Sequence, residues 1–368
     1  MEYRKNERVV DLDAIRDNVR ALKGAVGTDV KLMAVVKADA YGHGMVKVAK
    51  AALSAGASFL GVATPEEGVL LRESGLEAPV LIFGALSGGG AEAAVRYGLT
   101  QTVCRAEMVL WLAQECERQK KDAFVHLKID TGMGRIGVRS FAEAQAVLNA
   151  LKASPRVKLT GAFTHFADAD GETEEFTLGQ LEKFLHMCEI LPKGTLRHAA
   201  NSAAALRYPK ARLDMVRPGI AMYGCPPVKT EVPLRPAQRW VTEAVHVKTI
   251  EMGDTVSYGR TFTAEKEMRV ATLPVGYGDG YHRMLSNRGK VLIGGKFAPI
   301  LGRVCMDQTM VDVTGIQEAV PGAEAVLLGR QGKSEITADQ LGEWAGTISY
   351  EVLLAPTARV TRRYEHDE

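Results

Sequence analysis

A lysine stands at the end of a short apolar run, in the sequence KLMAVVKADAYGHG of residues 31–44. The run from Leu32 to Val36 is typical of a buried strand, because a strand covered on both faces is almost continuously apolar. Lys37 ends the run, and a polar loop with two glycines follows it. A partly desolvated amine at the carboxyl end of such a strand has a lowered pKa and can act as a nucleophile. The alternative is a lysine that snorkels to the rim of the strand, and the run alone favours that alternative.

A second segment that could do chemistry is RPGIAMYG, at residues 217–224. Gly219 would let backbone amides approach an anion closely, which predicts a phosphate cradle. Arg217 heads the segment and keeps its proton, so it can only donate hydrogen bonds. A plain strand-to-helix turn and an ion-pair arginine are the alternatives, and the glycine alone does not decide between them.

Three further stretches carry reactive side chains. In LKIDTGMGRIGV, Lys128, Asp130 and Arg135 lie close together, but no G-K-[ST] follows, which excludes the phosphate loop of nucleotide-binding proteins. Tyr258 in VSYGRTF and His165 in FTHFADAD are candidates for proton transfer. Taken singly, they are more typical of a strand tyrosine and a core histidine.

The composition is that of an ordinary globular protein. The 368 residues include 46 Lys and Arg against 44 Asp and Glu, a net charge of +2, so no strong field attracts nucleic acid or an anionic membrane. No apolar run is long enough to span a bilayer, and the first residues lack the apolar stretch of a secretory signal. Five scattered cysteines predict thiols, with no disulfide framework and no metal site. We therefore expect a cytoplasmic protein without nucleic-acid or membrane partners.

The elements that must position these residues alternate along the first two-thirds of the chain. Apolar runs that predict strands lie at 31–36, 58–63, 79–83, 99–103, 124–130, 158–164, 196–199 and 213–216. Amphipathic stretches between them predict helices, most clearly at 44–56 and 141–153, and Thr64 followed by Pro65 is a typical helix start. Eight such units predict an α/β fold, a TIM-type (β/α)8 barrel. A doubly wound open sheet is the alternative that strand counting leaves open.

The pattern changes after Gly224. The proline-rich segment CPPVKTEVPLRPAQRW predicts a linker. Beyond it, β-branched residues occupy every second position and Gly-Asp turns interrupt them, which predicts a mostly antiparallel β domain. We expect a barrel domain at residues 1–235 and a β-rich domain at residues 236–368.

Taken in order, the chain's motifs resemble those of alanine racemases. The matching segments are VVKADAYGHG, KIDTGMGR, THFADAD, HAANS, RPGIAMYG, SYGRT, VGYGDG, RVCMDQ and SYEV. The resemblance covers nearly the whole chain and implies an enzyme that depends on pyridoxal 5′-phosphate (PLP). It also implies a homodimer with active sites shared across the interface, and it assigns residues 1–10 to an additional strand of the β domain.

The resemblance assigns roles around the cofactor. Lys37 would hold PLP as a Schiff base and move a proton on one face of the substrate. Arg217 would donate to the pyridine nitrogen, which makes the ring a weaker electron sink and suits an enzyme that only moves a proton. Tyr258 of the partner subunit would serve the other face, coupled to His165. The further cofactor contacts that it implies are Tyr41, His165, Asn201, Ser202, Gly219, Ile220 and Tyr350, with His198 supporting Arg217.

The resemblance assigns the substrate contacts as well. Arg135 and the backbone amide of Met306 would bind the carboxylate, while Tyr277 and Tyr350 would narrow the entrance for a small side chain. Lys128 matches a lysine that many relatives carry as a carbamate, which would orient Arg135. Asp170, Arg283 and Arg303 match the entry corridor, and Asp307 is a weaker match, because turn aspartates are usually structural.

These assignments predict an isomerase that interconverts L-alanine and D-alanine by a two-base mechanism and supplies D-alanine for bacterial peptidoglycan. Two other enzymes remain open, a racemase of broader substrate range and a PLP-dependent decarboxylase of the same fold. The decarboxylase would place an acidic group at the pyridine nitrogen, where this sequence has Arg217. A non-catalytic PLP-binding barrel is an alternative of another class, and the β domain with Tyr258 speaks against it.

Overall fold

The structure, a computed structural model, describes residues 4–367. It contains two compact units, one of residues 14–235 and one that combines residues 4–13 with residues 236–367. The sequence places its domain boundary between residues 235 and 236. Residues 1–3 and 368 lie outside the described part. The two expected domains can therefore be compared with the structure only over residues 4–367.

The unit of residues 14–235 consists of eight parallel strands with helices between them. After β1 (Asn6–Asp11) of the other unit come β2 (Lys31–Val35), β3 (Phe59–Val62), β4 (Val80–Ala85), β5 (Thr100–Val103), β6 (Ala123–Lys128), β7 (Val157–Phe163), β8 (Leu196–His198) and β9 (Met215–Val216). The helices are α1 (Leu12–Val26), α2 (Met45–Ser54), α3 (Pro65–Glu73), α4 (Gly90–Arg96), α5 (Ala106–Gln119), α6 (Phe141–Ala153), α7 (Glu175–Met187) and α8 (Ser202–Arg207). Short 3₁₀ helices are Cys188–Ile190, Pro209–Ala211 and Ile220–Tyr223, and a single turn, Lys37–Tyr41, is described with the site.

These eight strands close into a barrel. Their order is β8-β7-β6-β5-β4-β3-β2-β9. The last strand returns to β8 through two backbone hydrogen bonds. The Asp214 amide donates to the Arg197 carbonyl at 3.1 Å, and the Arg217 amide donates to the Ala200 carbonyl at 3.0 Å. The predicted (β/α)8 barrel is therefore confirmed, and the open sheet is excluded. Each predicted strand agrees with the observed one to within a residue or two, because runs buried on both faces are easy to read.

Two helix starts show how local sequence sets the helices around the barrel. Thr64 caps α3 in a reciprocal pair: its hydroxyl accepts from the Glu67 amide, and the Glu67 carboxylate accepts from the Thr64 amide. Pro65 occupies the first helical position. Ser140 caps α6 in the same way on one side, through the Glu143 amide. The buried face of α6 has the spacing of an amphipathic helix and consists of Ala144, Val147 and Leu151.

The second unit is rich in antiparallel strands, as predicted. Besides β1, its strands are β10 (Gln238–Glu243), β11 (His246–Ile250), β12 (Thr255–Val256), β13 (Phe262–Thr263), β14 (Met268–Leu273), β15 (Lys290–Ile293), β16 (Lys296–Pro299), β17 (Thr309–Asp312), β18 (Glu324–Gln331), β19 (Ser334–Ile336) and β20 (Thr361–Glu365). Its helices are α9 (Ala338–Ala345) and α10 (Ser349–Leu354), with 3₁₀ helices Tyr258–Arg260, Tyr277–Asp279 and Arg283–Leu285.

The main sheet of this unit has the order β16-β15-β18-β10-β1-β20, with β19 paired to β18. In it, β1 pairs antiparallel with β10 and parallel with β20. A three-stranded sheet, β11-β14-β17, contributes to an apolar core. That core consists of Ile250, Val256, Ala264, Met268, Val270 and Leu301. Within residues 4–367, no helix has both the length and the apolar character that crossing a bilayer requires.

Candidate active site

The chain turns left-handed directly after Lys37, at the carboxyl end of β2. Residues 38–41 all have φ between 52° and 55°, and the Ala40 amide donates to the Val36 carbonyl at 2.8 Å, as in a helical turn. Left-handed helical backbone costs about 1–2 kcal/mol per residue for amino acids other than glycine. Four such residues in a row therefore need support from their surroundings.

Two carboxylates supply that support. Glu67, in the first turn of α3, accepts from the Ala38 amide through Oε1 and from the Ala63 amide through Oε2, both at 2.6 Å. Asp39 accepts from the Met45 amide at 2.8 Å, where α2 begins. The left-handed turn is thus attached both to the first turn of α3, through Glu67, and to the start of α2, through Asp39.

Lys37 stands at the start of this turn and is half-buried. Burial lowers the pKa of its amine, and the charges of Arg135 and Arg217 lower it further, while Glu67 raises it. A lowered pKa increases the fraction of neutral, nucleophilic amine at a given pH. The sequence predicted this property from the position of the lysine at a strand end.

Arg217 is buried, with 3% of its surface exposed, and is held by backbone carbonyls. Its Nη2 atom donates to the carbonyls of Thr164 at 2.8 Å and Ala199 at 2.9 Å. Burial and the neighbouring charge of Arg135 lower the pKa of Arg217, to about 9, so the guanidinium stays charged at neutral pH. A fixed cation of this kind can donate hydrogen bonds inside the barrel but cannot accept them.

A chain of histidines begins at this arginine. Arg217 Nη1 lies 3.1 Å from His198 Nδ1, and Arg217 Nη2 lies 3.3 Å from His165 Nδ1. Because a guanidinium can only donate, both Nδ1 atoms are hydrogen-bond acceptors. His198 therefore carries its proton on Nε2, which lies 2.9 Å from Nδ1 of His126 and donates to it. Burial, followed by Arg217, lowers the pKa of all three histidines, that of His126 to about 3. They are neutral at pH 7, and their tautomers are fixed.

Lys128 is buried in the same interior. Its Nζ donates to the Ile129 carbonyl at 3.1 Å and lies 5.2 Å from the centre of the Phe163 ring, which Arg217 also contacts at 5.5 Å. Burial lowers the pKa of Lys128 to about 7, and Arg217 lowers it as well, against an opposing effect of Asp130. A lysine with this pKa has far more neutral amine at pH 7 than an ordinary exposed lysine.

A cradle of small groups lies where RPGIAMYG leaves the barrel. The Ser202 hydroxyl oxygen accepts from the amides of Gly219 at 2.9 Å and Ala221 at 3.3 Å. Asn201 caps α8 by accepting from the Ala204 amide at 3.0 Å. A Cβ on Gly219 would lie 3.0 Å from Cζ of Tyr41 and closer still to its hydroxyl oxygen. We call the space between Ser202, Gly219 and Tyr41 the cradle, and a side chain at residue 219 would fill it. The cradle brings hydroxyl groups and backbone amides together, as an anion site requires.

Tyr41 is itself held in place by aromatic packing. Its ring lies 4.8 Å from that of Tyr223, which is also 4.5 Å from the His43 ring. Tyr223 is fully buried and donates its hydroxyl proton to the Val35 carbonyl at 2.9 Å. Ile220 begins the 3₁₀ helix between the cradle and Tyr223. The hydroxyl of Tyr41 therefore has a fixed position over Gly219.

Arg135 is solvent-exposed on the loop after β6. The loop is shaped by Asp130, whose carboxylate accepts from the amides of Gly132 at 3.1 Å and Gly134 at 3.0 Å. The charge of Arg135 lowers the pKa of Lys37 and of Arg217, so this cation lies near enough to act on both groups. A cation here can bind a carboxylate at the carboxyl end of the barrel.

In the β-rich unit, Tyr258 and Met306 share a cavity of about 450 Å³. Both side chains are unusually exposed for their size, at 71% for Tyr258 and 52% for Met306. The cavity is lined by Ser257, Tyr258, Cys305, Met306, Asp307 and Gln308. Exposed apolar groups around a cavity are typical of a binding surface.

Ser257 fixes the backbone in front of Tyr258. Its φ is 68° and its ψ is −179°, a conformation that is found almost only in glycine. The Ser257 hydroxyl donates to the Arg303 carbonyl at 2.6 Å and lies 3.3 Å from Sγ of Cys305. The strained residue therefore joins the loop that carries Tyr258 to the loop that carries Met306.

Tyr277 belongs to the same region of this unit. Its amide donates to the Cys305 carbonyl at 3.0 Å, and the next amide donates to the Met306 carbonyl at 2.8 Å. The buried Asp279 pairs with Arg359 at 3.3 Å, and Arg359 pairs with Asp307 at 2.7 Å. These bonds hold the two loops together, so Asp307 has a structural role here, as turn aspartates usually do.

The predicted site residues fall into one group in each unit. The barrel carries Lys37, Tyr41, Lys128, Arg135, His165, Asp170, His198, Asn201, Ser202, Arg217, Gly219 and Ile220. The β-rich unit carries Tyr258, Tyr277, Arg283, Arg303, Met306, Asp307 and the half-buried Tyr350 of α10.

Sequence reasoning missed His126, Glu67 and Tyr223. His126 stands two residues before Lys128 in β6, and strand alternation places both on one face. That signal was available. Nothing near Glu67 or Tyr223 in the sequence indicated their partners.

These two units define a class of enzyme in which an α/β barrel with a lysine and an anion cradle is combined with a β-rich unit. Residues 10–227 match the family model for the N-terminal domain of alanine racemase, and residues 237–364 match the model for its C-terminal domain. The chain belongs to the alanine racemase family and is an enzyme of that family. The resemblance predicted from the motifs is thereby confirmed.

Individual relatives agree along the whole chain. An alanine racemase of Symbiobacterium thermophilum is 47% identical over 362 residues, which is 96% of each chain. Alanine racemase 1 of Bacillus subtilis is 44% identical over 369 residues, covering 98% of this chain and 93% of that protein. Among solved structures, the alanine racemase of Bacillus anthracis with bound L-Ala-P superposes with a TM-score of 0.93 at 37% identity, covering 100% of this chain and 97% of that one.

Proposed function

We propose that this chain interconverts L-alanine and D-alanine with PLP as its cofactor. The observation that carries the proposal is the environment of Arg217, a buried cation that can only donate, held between two backbone carbonyls and two neutral histidines. A donor of this kind, opposite a pyridine nitrogen, leaves that nitrogen unprotonated. Arg217 would thereby keep a cofactor bound there a weak electron sink, which would favour proton transfer over other outcomes. An acidic partner, which a decarboxylase of this fold would need, is replaced here by the arginine.

The residues of the barrel fit the cofactor. Lys37 would supply the amine, and Tyr41, Ser202, Gly219 and Ile220 would supply hydroxyl and amide donors for its phosphate, with Asn201 and His165 as further contacts. Tyr350, which lies on the β-rich unit, would be another contact. The cradle that a Cβ at residue 219 would fill supports this assignment. Bound PLP would acidify the proton on the α-carbon of an amino acid, and the rest of the chemistry falls to the protein.

Two groups would move that proton. The lowered pKa of Lys37 leaves more of its amine neutral at a given pH, and a neutral amine can accept a proton and return it on one face of the substrate. Tyr258 of the partner subunit would act on the other face. His165 supports this role, because its Nδ1 accepts from Arg217 and its Nε2 therefore carries a proton that can be donated to the phenol oxygen.

The second subunit is part of this proposal. Tyr258 and Met306 are exposed on the β-rich unit, which supports their use by a second copy of the chain. We propose a homodimer in which the amide of Met306 and the side chain of Arg135 bind the substrate carboxylate. Tyr277 and Tyr350 would then limit the size of the substrate side chain to a methyl group.

Lys128 would carry a carbamate. Its pKa of about 7 supports this, because only the neutral amine can attack CO₂. The nitrogen then releases one proton, and the product is a carbamate anion. That anion would face Arg135 and orient it. We place the reaction in the cytoplasm, where the D-alanine would serve peptidoglycan synthesis.

The test is to incubate the chain with PLP and each L-amino acid in turn, and to measure the D-isomer by chiral chromatography. D-alanine as the main product supports the proposal, a broad product range points to a less selective racemase, and release of CO₂ with an amine would overturn it. Lys37→Ala should lose both covalent PLP and turnover. Tyr258→Phe should keep PLP and lose turnover. Tyr97→Phe serves as the control, because Tyr97 is a half-buried tyrosine that is not among the proposed site residues.

Dimer sharing has a test of its own. Subunits that carry Lys37→Ala are mixed with subunits that carry Tyr258→Phe, after partial dissociation. A shared site regains activity in mixed dimers, because one of the two sites then has both groups intact. Mixtures that stay inactive although mixed dimers are detected would contradict the shared site.

A further inference from the structure

The left-handed turn after Lys37 depends on a carboxylate from another helix. We propose that Glu67 is a positioning residue for Lys37: its carboxylate bridges the Ala38 and Ala63 amides and fixes the direction in which the lysine leaves β2. We call this arrangement the Glu67 bridge. The inference rests on the proposed function only for the role of Lys37 itself.

Both oxygens of Glu67 are used in the bridge. Oε1 accepts from the Ala38 amide at 2.6 Å, and Oε2 accepts from the Ala63 amide at 2.6 Å and from the Thr64 amide at 3.4 Å. The two amides belong to the loops that leave neighbouring barrel strands, β2 and β3. Bonds to a charged acceptor at this length are among the stronger hydrogen bonds in proteins.

Glu67 is a rigid attachment point because its own helix is fixed. Its amide donates to the Thr64 hydroxyl at 3.4 Å, which closes the capping pair at the start of α3. The next residue, Gly68, is packed so tightly that a Cβ there would lie 2.8 Å from a methyl carbon of Leu99. Leu71, one turn later, is fully buried. The carboxylate therefore cannot follow the turn if the turn relaxes.

The turn needs such an attachment at its first residue. Residues 38–41 are two alanines, an aspartate and a tyrosine, and only the aspartate tolerates left-handed backbone well. Asp39 secures the far end of the turn through the Met45 amide. Glu67 secures the near end, next to the lysine. If that end relaxed to right-handed backbone, the chain would leave β2 in another direction.

The charge of Glu67 has a separate consequence. Arg135 and Arg217 both disfavour the protonated amine of Lys37, and Glu67 opposes them. The bridge therefore holds the lysine in place and also moderates its acidity. These two effects can be separated by substitution, because one depends on the length of the side chain and the other on its charge.

Two variants and a control make the separation. Glu67→Asp keeps the charge and the hydrogen bond from the residue 67 backbone amide to the Thr64 hydroxyl. It shortens the side chain by one methylene, so the carboxylate loses its reach to Ala38. Glu67→Gln keeps the length but removes the charge and one acceptor. Glu66→Gln is the control, because Glu66 is the neighbouring exposed residue of the same helix turn and carries the same charge.

The first readout is hydrogen exchange in the cofactor-free protein, measured by mass spectrometry on peptides that cover residues 36–42. We expect exchange about tenfold faster or more in Glu67→Asp, the effect of losing one hydrogen bond to a charged acceptor. Glu66→Gln should exchange like the unchanged protein. Equal exchange in Glu67→Asp and the unchanged protein, at equal melting temperature, would overturn the proposal.

The second readout is the pH dependence of acylation at Lys37, again without cofactor. Glu67→Gln should shift its midpoint to lower pH, whereas Glu67→Asp and Glu66→Gln should leave it close to that of the unchanged protein. A purely structural role would not move this midpoint. An unshifted midpoint in Glu67→Gln would therefore remove the electrostatic part of the proposal.

The third readout uses the PLP-loaded enzyme. Glu67→Asp should lower kcat for alanine severalfold with little change in KM, because Glu67 does not contact the substrate in the proposed site. Borohydride trapping of PLP in the unchanged protein, followed by peptide mapping, tests the proposed function by itself. Absence of label on Lys37 would refute the cofactor role but not the bridge, which the first readout judges alone.

Discussion

Replacing Gly219 by alanine would test the phosphate cradle most directly. The added Cβ would lie 3.0 Å from Cζ of Tyr41 and closer to its hydroxyl, well inside normal contact distance. The φ of Gly219 is −111°, so the substitution introduces no left-handed strain, and the effect is one of space alone. The Tyr41 hydroxyl would have to move away from the cradle.

That movement is restricted by what packs behind Tyr41. Its ring rests on Tyr223, which is fully buried and bonded to the Val35 carbonyl. Overpacking of this kind costs about 1–3 kcal/mol. If the cost is relieved by displacing the hydroxyl that would bind phosphate, PLP affinity should fall by roughly fivefold to a hundredfold, since about 1.4 kcal/mol corresponds to a factor of ten.

The assay is a titration of cofactor-free protein with PLP, followed by fluorescence and by the rise in melting temperature that ligand binding causes. Gly24→Ala is the matched control, because Gly24 lies exposed in α1 with nothing within 4 Å of an added Cβ. The control should stabilise the protein by about 0.5–1 kcal/mol and leave PLP affinity unchanged. Unchanged PLP affinity in Gly219→Ala would refute the assignment of the cradle to the phosphate.

Two further expectations concern the barrel interior. In bicarbonate buffer well above the Lys128 pKa of about 7, native mass spectrometry should show one CO₂ adduct per chain, lost on acidification well below that pKa because protonation removes the nucleophile. Lys128→Ala should lack the adduct, and a complete absence from the unchanged protein at every pH would contradict the carbamate. Gly161→Ala would place a Cβ 2.6 Å from Nε2 of His126 and should cost about 1–3 kcal/mol of unfolding free energy in denaturant melts. Unchanged stability would mean that the histidine is less firmly fixed than its hydrogen bonds indicate.

The barrel could be predicted from the sequence because its signal is local. Each strand is a short apolar run, and burial on both faces makes the run continuous. Strand β9 shows the limit of that reading: residues 213–216 are apolar enough to predict a strand, but only Met215–Val216 is extended. Leu213 instead has a positive φ of 49°, which is outside the extended range.

The site could be predicted where a motif names a residue, and not where distant contacts decide the geometry. Lys37 and Arg217 were found from strand ends and from family motifs. The left-handed turn was not, because alanine and tyrosine carry no signal for positive φ. Its conformation depends on Glu67, 29 residues away along the chain. The strained backbone of Ser257 was missed for the same reason, since its partners lie on the loop around Cys305.

The two histidines behind Arg217, His198 and His126, have a consequence for proton transfer inside the barrel. Each ring accepts at Nδ1 and carries its proton at Nε2, in one direction away from the arginine. A Grotthuss relay needs a terminus that can take up or release a proton, and a guanidinium at the head of the row accepts none. The row of imidazole rings therefore cannot relay protons to the arginine, and its role is to hold the guanidinium in place. These two histidines therefore offer no route by which a proton could reach Arg217 from the barrel interior.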